Sequence, residues 1–441
     1  MEATLPINAQ DTPKKRAHRS DPYIWGSYIA LLIVSIIELF SASSQEIRVG
    51  HIYDPIMRHA MFLGIGLILM LALERMHFVW LYYAIPWYVA GSIIIMILVM
   101  FVGTKVNGAA RAIEIGPVMI LPAEFLKLAV ALGIARILSQ TQIRNADGSH
   151  GVSNVGVIAS AVLVLVCSGL LFSQGLTNTL LLMTISVGMM LVGGIGWKKL
   201  LKVLAVYAVI GVLAIGAKAI MGRNTEITEE DYQLARINQT EVVGSIDRSN
   251  RSHTWAARMK RHFRLNKAGD TIDDENKQEQ LSFIAQARGG LTGVGIGNSR
   301  ETSRLPLAFS DYIYAIIVEE LGAIAAIFVM IFYLFLLGRA GRLAMQFQST
   351  LPTLLVIGCA LVICLQALFH ICIVTGVFPV SGQPLPLISK GGTSIIATSL
   401  ALGVMLSASR WAARKSDGVE AGNRELSSLP DKIATNNPSQ L

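Results

Sequence analysis

Residues 289–322 read GGLTGVGIGNSRETSRLPLAFSDYIYAIIVEELG, in which a glycine-rich polar segment runs directly into an apolar helix. A single acid, Asp311, stands at the start of that helix, and Glu319 and Glu320 lie inside it. Helical spacing places Glu319 within roughly a quarter turn of Asp311 and turns Glu320 to nearly the opposite side from Asp311. Because carboxylates in a membrane helix are costly unless they face protein or water, this stretch indicates chemistry or ion handling at the edge of a bilayer.

The composition extends this interpretation to the whole chain of 441 residues, which is 53% hydrophobic and 15% charged, with a mean hydropathy of +0.55. A soluble domain is far less apolar. Apolar runs near the ~20 residues needed to cross a bilayer recur, and they are continuous rather than alternating, which argues against a β-barrel. We therefore predict an all-α polytopic membrane protein with about ten transmembrane helices. The predicted spans are residues 24–42, 56–73, 78–102, 120–138, 152–172, 175–195, 199–221, 311–337, 352–378 and 392–411.

The net charge of +8 comes mainly from basic residues in short connections and in the tails. Basic residues in these places set the orientation of the chain in the membrane, so they do not indicate nucleic-acid binding. The predicted organisation is a cytoplasmic N-terminal tail over 1–23, a transmembrane domain over 24–412 and a cytoplasmic C-terminal tail over 413–441. A large extracytoplasmic loop, residues 222–310, separates predicted helices 7 and 8. The polar stretch from about Ser416 onward is expected to be disordered.

Two interpretations of Asp311 stay open from the residues alone. A short acid at a helix start often caps unpaired backbone N–H groups. Alternatively, a carboxylate beside a loop that carries Arg300 and Arg304 suits a general base or a metal ligand for a phosphate-bearing substrate.

A second cluster lies between the third and fourth predicted spans. Glu124 and Lys127 are three residues apart and share a helix face, so they form either a plain ion pair or part of a cavity wall. Arg111 is expected in an outer loop, where it could hold an anionic head group.

The third cluster, residues 376–394, is so rich in proline and glycine that it must break the helix at the membrane edge. It is either a tight structural turn or an anion site that involves Ser389, Lys390 and the N–H groups before the next helix.

Together the three clusters resemble the SEDS family (shape, elongation, division and sporulation proteins), the FtsW and RodA group. The resemblance is carried by NGAARAI at 107–113, LPAEFLK at 121–127, the whole of 293–322 and PVSGQPLPLISKGGTS at 379–394. It covers roughly residues 24–412, and the last motif is more similar to FtsW than to RodA. The chain departs from the family pattern at several positions. These are Ala112 for a tryptophan, Leu121 and Ala123 for a glutamine and a serine, His370 for an asparagine and Lys390 for a tyrosine.

The resemblance implies a peptidoglycan glycosyltransferase that polymerises lipid II, an undecaprenyl-diphosphate-linked disaccharide peptide. Asp311 is then the essential acid, which either deprotonates the attacking hydroxyl or holds a divalent cation, Mg or Mn; no organic cofactor is implied. The implied partners are a class B penicillin-binding protein and other division-machinery membrane proteins, in the bacterial inner membrane at the septum. The implied substrate-binding residues are Arg111, Glu124, Lys127, Asn298, Ser299, Glu319, Ser389, Lys390, Gly391 and Gly392.

Three alternatives remain. Buried acids and broken helices also suit a lipid II flippase. The protein could also be a RodA-like polymerase of cell elongation, or an inactive scaffold that recruits a penicillin-binding protein.

Overall fold

The computed structural model describes residues 19–46, 54–106, 109–115, 118–144, 150–223, 276–305 and 308–435. Helices dominate this part of the chain. They are α1 Pro22–Glu46, α2 Asp54–Arg75, α3 Phe78–Val102, α4 Pro122–Gln140, α5 Asn154–Phe172, α6 Leu176–Val192, α7 Trp197–Arg223, α8 Lys277–Gly289, α9 Ile313–Gln346, α10 Thr350–Val374, α11 Gly392–Trp411 and α12 Val419–Ser428.

Seven helices in the described residues are long and apolar enough to cross a membrane: α1, α2, α3, α5, α9, α10 and α11. The predicted class, an all-α polytopic membrane protein, is confirmed. A helix also covers each of the other three predicted spans, but α6 has only 17 residues and α4 carries buried charges. The count of ten crossings therefore stays a prediction. Residues 224–275 of the predicted large loop lie outside the described residues, and α8 occupies part of the remainder.

Two small sheets accompany the helices. Strands β1 Thr104–Val106, β2 Ala109–Ile115 and β3 Val118–Ile120 form an antiparallel sheet in the order β1-β2-β3, between α3 and α4. Strands β4 Gln142–Arg144 and β5 His150–Val152 pair between α4 and α5. Arg111 therefore lies in the predicted connection between two spans, on strand β2, and its outer position stays a prediction. The sequence AARAIEI of β2 has no regular alternation of polar and apolar residues, so its strand is not evident from the sequence pattern.

The predicted disorder after Ser416 is also wrong for the described residues. Helix α12 follows a short 3₁₀ turn, and the Glu425 carboxylate accepts hydrogen bonds from the Ser349 hydroxyl and the Ala413 N–H. Burial raises the pKa of the Glu425 carboxyl above its usual range, although these two bonds oppose the shift. The Thr350 N–H at the start of α10 donates to the Thr435 carbonyl at 3.1 Å. The C-terminal segment thus satisfies backbone groups at the start of a membrane helix.

Helices α10 and α11 form the centre of the described structure. In the most apolar 18-residue stretch of each helix, 78% of the residues are buried in α10 and 83% in α11, against 22% in α2 and in α3. Large apolar side chains on α3 are exposed, such as Trp87 at 81% and Phe101 at 84%, and lipid would contact them. Small residues let α2 and α11 approach closely, since a Cβ on Gly403 would lie 2.9 Å from the Leu73 side chain.

Polar contacts define the two membrane edges of the fold. At one edge, called the Arg339 edge, the Arg339 guanidinium binds both oxygens of Asp21 just before α1, and Arg410 lies 3.6 Å from Glu74. At the opposite edge, called the Asp311 edge, the Ser389 hydroxyl donates to the Ser310 carbonyl. The spanning region therefore starts and ends at the Arg339 edge.

Helix α9 is interrupted at Gly322, which has φ +85° and a non-helical ψ of 168°. Helix α9 covers most of the predicted span 311–337 and extends it to Gln346, with this break inside it. The N–H groups of Val294 and Gly295 donate to the Glu319 and Glu320 carbonyls at 2.9 and 3.0 Å. Hence the loop after α8 satisfies backbone groups that the break releases at membrane depth.

On the other side of the break, the direction of donation is reversed. The Ala323 N–H donates to the Gly290 carbonyl at 2.9 Å, and the Ile324 N–H donates to the Leu291 carbonyl at 3.3 Å. This approach needs glycine, because a Cβ at Gly293 would lie 2.2 Å from the Glu320 carbonyl oxygen, and Gly293 has φ +78°. The glycine-rich motif is therefore a structural requirement of the broken helix.

We expect Gly293→Ala to destabilise the protein by about 3 kcal/mol or more, because backbone overlap adds to the strain of a left-handed residue. The matched control is Gly194→Ala, where φ is +84° but a Cβ would meet nothing within 4 Å. That variant should lose only about 1 kcal/mol. Thermal unfolding in detergent compares the two, and equal losses would contradict the close approach.

Candidate functional site

Asp311 lies between the end of the glycine-rich loop and the start of α9, and it is half-buried. The Ser310 hydroxyl donates to Asp311 Oδ1 at 2.9 Å. Helix α9 begins at Ile313, its N-cap is Tyr312, and no side chain caps it. The helix-capping interpretation of Asp311 is therefore wrong, because the helix starts too late in the chain.

The third sequence cluster packs directly against Asp311. A Cβ on Gly382 would lie 2.7 Å from Asp311 Oδ2, so a glycine leaves room for the carboxylate. The Lys390 N–H donates to the Phe309 carbonyl at 2.8 Å. The Ser389 hydroxyl donates to the Ser310 carbonyl at 2.7 Å and accepts from the Leu385 N–H at 2.7 Å. The structure thus brings Asp311, Ser389 and Lys390 together at the Asp311 edge.

Side chains on three helices pair with residues 383–386. His370 Nδ1 donates to the Gln383 carbonyl at 2.6 Å, and the Tyr333 hydroxyl donates to the Pro386 carbonyl at 2.5 Å. The Gln383 amide donates to Asn178 Oδ1 at 3.0 Å. An irregular segment at the membrane edge is stable only when its polar groups are paired in this way.

Glu124 and Lys127 form a buried network with Gln366 of α10. Lys127 Nζ donates to Glu124 Oε1 at 2.8 Å and to Gln366 Oε1 at 2.9 Å, and Gln366 Nε2 donates back to Glu124 Oε2 at 2.9 Å. Gln366 Nε2 also reaches the Pro384 carbonyl at 3.2 Å. Since Lys127 is 0% exposed, the pair is neither a surface contact nor exposed to lipid. It ties α4 to α10 and to the segment beside Asp311.

Glu319 clamps the glycine-rich loop. Its carboxylate accepts from Arg288 Nη1 at 2.8 Å, from the Ser299 hydroxyl at 2.5 Å and from the Arg300 N–H at 3.0 Å. Glu320 instead accepts from the Ser41 hydroxyl of α1 at 2.5 Å. The placement of Glu320 on nearly the opposite side from Asp311 stays a prediction. Three charged or polar donors around one buried carboxylate make Glu319 a positioning residue for the loop.

The other predicted site residues are spread around this framework. Asn298 is exposed on the loop and donates to the Val294 carbonyl at 3.2 Å. Gly391 is half-buried, while a Cβ on Gly392 would lie 2.3 Å from the Phe62 ring, which indicates tight packing. Arg111 lies on β2, and its side chain is outside the described part of the structure. Substrate contact by any of these residues stays a prediction.

Sequence reasoning did not find the partners that complete the site. Gln366 and Tyr333 lie within apolar runs, and Arg288 lies in the helix before the glycine-rich loop. A polar side chain within a membrane helix is itself a signal, because it must find a partner inside the protein. Gln366 could have been found in that way, but its pairing with Glu124 could not.

The described residues contain no group of three or more His, Cys, Asp or Glu side chains that could hold a metal ion. Asp311 offers one carboxylate, with the Ser310 hydroxyl beside it. Mg²⁺ commonly binds through one or two carboxylates together with substrate phosphates. The donors therefore fit a cation held jointly with a phosphate-bearing substrate better than a cation held by protein alone.

These features define a polytopic membrane protein with a half-buried carboxylate at one edge and closed ion-pair networks behind it. The family model of FtsW, RodA and SpoVE cell cycle proteins matches residues 22–414, and the chain belongs to this family. The resemblance recognised in the sequence is thereby confirmed.

Named relatives cover most of this chain. A protein of Tolumonas auensis, named a probable peptidoglycan glycosyltransferase FtsW, is 30% identical over 389 residues, which cover 86% of this chain and 88% of the relative. One from Aromatoleum aromaticum with the same name is 28% identical and covers 89% of each chain. Stage V sporulation protein E of Bacillus subtilis is 27% identical, covering 87% of this chain and 95% of its own.

Two solved structures share the fold. A chain of a peptidoglycan synthase complex aligns with a TM-score of 0.61 and 22% identity, covering 89% of this chain and 98% of its own. The rod shape determining protein RodA of Thermus thermophilus aligns with a TM-score of 0.57 and 21% identity, covering 89% and 97%. At these identities, the similarity shows the arrangement of helices.

We expect Lys127→Met to destabilise the protein by about 3 to 5 kcal/mol, because it leaves the Glu124 carboxylate buried without its cation. The double variant Lys127→Met, Glu124→Gln removes both charges and should recover at least half of that loss. The exposed pair Glu420 and Arg424 is the matched control, and neutralising it should change little. Thermal unfolding measures all three, and a double variant that is no more stable than Lys127→Met would contradict the closed network.

Proposed function

We propose that this chain is a peptidoglycan glycosyltransferase that polymerises lipid II into glycan strands. The observation that carries the proposal is the half-buried Asp311 carboxylate at a membrane edge, fixed against Gly382 and Ser310 in a fold of this family. Relatives across most of the chain are named probable peptidoglycan glycosyltransferases, which supports the same activity.

In the proposed reaction, the 4-hydroxyl of one sugar attacks the anomeric carbon of a lipid II molecule and inverts that centre. The new glycosidic bond forms as the bond to the diphosphate oxygen breaks, and undecaprenyl diphosphate leaves. Asp311 accepts the hydroxyl proton as general base, or it holds a divalent cation, Mg or Mn, against the diphosphate. The half-buried position suits either role, because a carboxylate partly shielded from water interacts more strongly with a proton or a cation.

The buried networks have a different proposed role from Asp311. Glu319 with Arg288 fixes the loop before Asp311, and Gln366 ties Glu124 and Lys127 to the Pro384 backbone. These groups are positioning residues, since their polar atoms are engaged by protein. Lys390 and Arg111 belong to sequence clusters that are expected near the outer membrane edge. We propose that these two residues bind the diphosphate.

The proposed organisation keeps the domains expected from the sequence: tails over 1–23 and 413–441, a transmembrane domain over 24–412, and an extracytoplasmic loop over 222–310. With this orientation, the Asp311 edge faces outward, where lipid II and a class B penicillin-binding protein would meet the chain. Similarity to a chain of a complex described as coordinating polymerization and crosslinking supports such a partner. A septal role in division is proposed from the FtsW-type motif at residues 379–394.

We expect Asp311→Asn to lower glycan formation from purified lipid II by about 100-fold or more, because the amide can neither accept the proton nor bind a cation. The assay uses the full chain with its penicillin-binding partner and detects polymer by gel electrophoresis. The matched control is Asp431→Asn, the same chemical change at an exposed acid in the C-terminal segment, which should retain full activity.

Three outcomes would contradict the proposal. Unchanged polymer from Asp311→Asn would remove the catalytic assignment. Lipid transfer between leaflets without polymer would favour a flippase. Absence of both activities, with complementation of division by the Asp311→Asn variant, would favour a scaffold.

A further inference from the structure

A second polar cluster lies near the chain segment that carries Asp311. A cavity of about 10 Å³ lies between α1, α2, the segment around Phe309 and the segment around Lys390. We name it the Glu38 cavity. Its lining includes Ser35, Glu38, His59, Phe309, Ile313 and Lys390.

Glu38 is the unusual member of this cluster. Its side chain is 1% exposed, and neither of its carboxylate oxygens has a hydrogen-bond partner among the described residues. The neighbouring polar groups are engaged elsewhere. Ser35 Oγ and His59 Nε2 lie 2.9 Å apart, and the Ser41 hydroxyl donates to Glu320.

A buried carboxylate without a donor must hold a proton or lie against a cation, since an isolated buried charge is far too costly. The size of the cavity limits the choice. A volume of about 10 Å³ has room for a single water molecule and none for a metal ion with its ligands. The remaining sources of positive charge are a proton and Lys390, a residue of the same cavity lining.

The titratable groups near Glu38 are Glu320 of α9, His59 of α2 and Lys390 of the segment before α11. Glu320 of α9 lies close enough to act on Glu38 electrostatically, and Lys390 acts in the same way on His59 of α2. Two carboxylates this close disfavour each other's ionisation, and Glu320 has the Ser41 hydroxyl to stabilise its charge. Glu38 is therefore the better place for a proton.

We propose that Glu38, His59 and Lys390 form an intramembrane proton-binding site in which Glu38 is protonated in the described structure. When the O–H bond of Glu38 breaks, the proton passes to the solvent. The carboxylate then accepts a hydrogen bond from the Lys390 ammonium, which moves into the cavity.

The site can act on Asp311 through the backbone. Lys390 is bonded through its N–H to Phe309, two residues before Asp311, and Ser389 is bonded to Ser310. A shift of the Lys390 ammonium would therefore change the charge beside the segment that carries Asp311. This consequence for polymerisation rests on the proposed function, whereas the proton site itself does not.

Difference infrared spectroscopy of the full chain in lipid nanodiscs tests the site without any turnover. The wild type should show the C=O band of a protonated carboxylic acid at neutral pH, and that band should be lost in Glu38→Gln. Glu74→Gln is the matched control, because Glu74 is also largely buried but lies near Arg410, and the band should remain. A wild type without the band, or a band that persists in Glu38→Gln, would overturn the proposal.

A second variant tests the coupling to Lys390. Without the ammonium, no cation donates a hydrogen bond to the Glu38 carboxylate. Lys390→Met should therefore raise the pH at which the band disappears by about one unit. An unchanged midpoint would overturn the coupling. Should Glu38→Gln fail to fold, this shift alone decides, because a merely structural role for Lys390 would not change the midpoint of a carboxylic acid band.

Discussion

Backbone pairing at two breaks in the membrane region is the constraint on which the rest of the structure depends. At Gly322 the interrupted α9 exchanges hydrogen bonds with residues 290–295, and residues 383–386 are held by His370 and Tyr333. Neither break would be stable beside lipid, where water cannot satisfy the freed groups. Both breaks position Asp311. The break at Gly322 holds the loop that precedes Asp311 in the chain, and the other break contacts the Asp311 segment through Gly382 and Ser389.

The buried charges follow from the same constraint. Glu124 and Lys127 neutralise each other, and Glu319 is neutralised by Arg288, so each pair can lie inside the protein and fix the segment to which it is bonded. Removing one partner of such a pair costs free energy, because the other charge stays buried without compensation. Each pair therefore holds its segments in a fixed position. Asp311 differs from these acids because it remains half-buried at an edge. Chemistry is expected where a charge stays accessible, and rigidity where it is closed off.

Much of this could be predicted from the sequence because long apolar runs and dense glycine–proline motifs are local signals. The helices, the family and the break near residue 382 follow from such signals. The break at Gly322 could not be predicted, since a glycine after two acids does not show that another loop will pair with it. Gln366 pairs with Glu124 from a distant helix, and no local pattern encodes that contact. The order after Ser416 was missed because a polar composition does not reveal docking against Ser349 and Thr350.

Hydrogen–deuterium exchange of the full chain in lipid nanodiscs tests the backbone pairing most directly. We expect the amides of Val294 and Gly295 to exchange as slowly as those within α9, because they donate to carbonyls at the Gly322 break. Exchange of these two amides at the rate of an open glycine-rich loop would show that the break is not paired. The positioning of Asp311 described above would then have no structural basis.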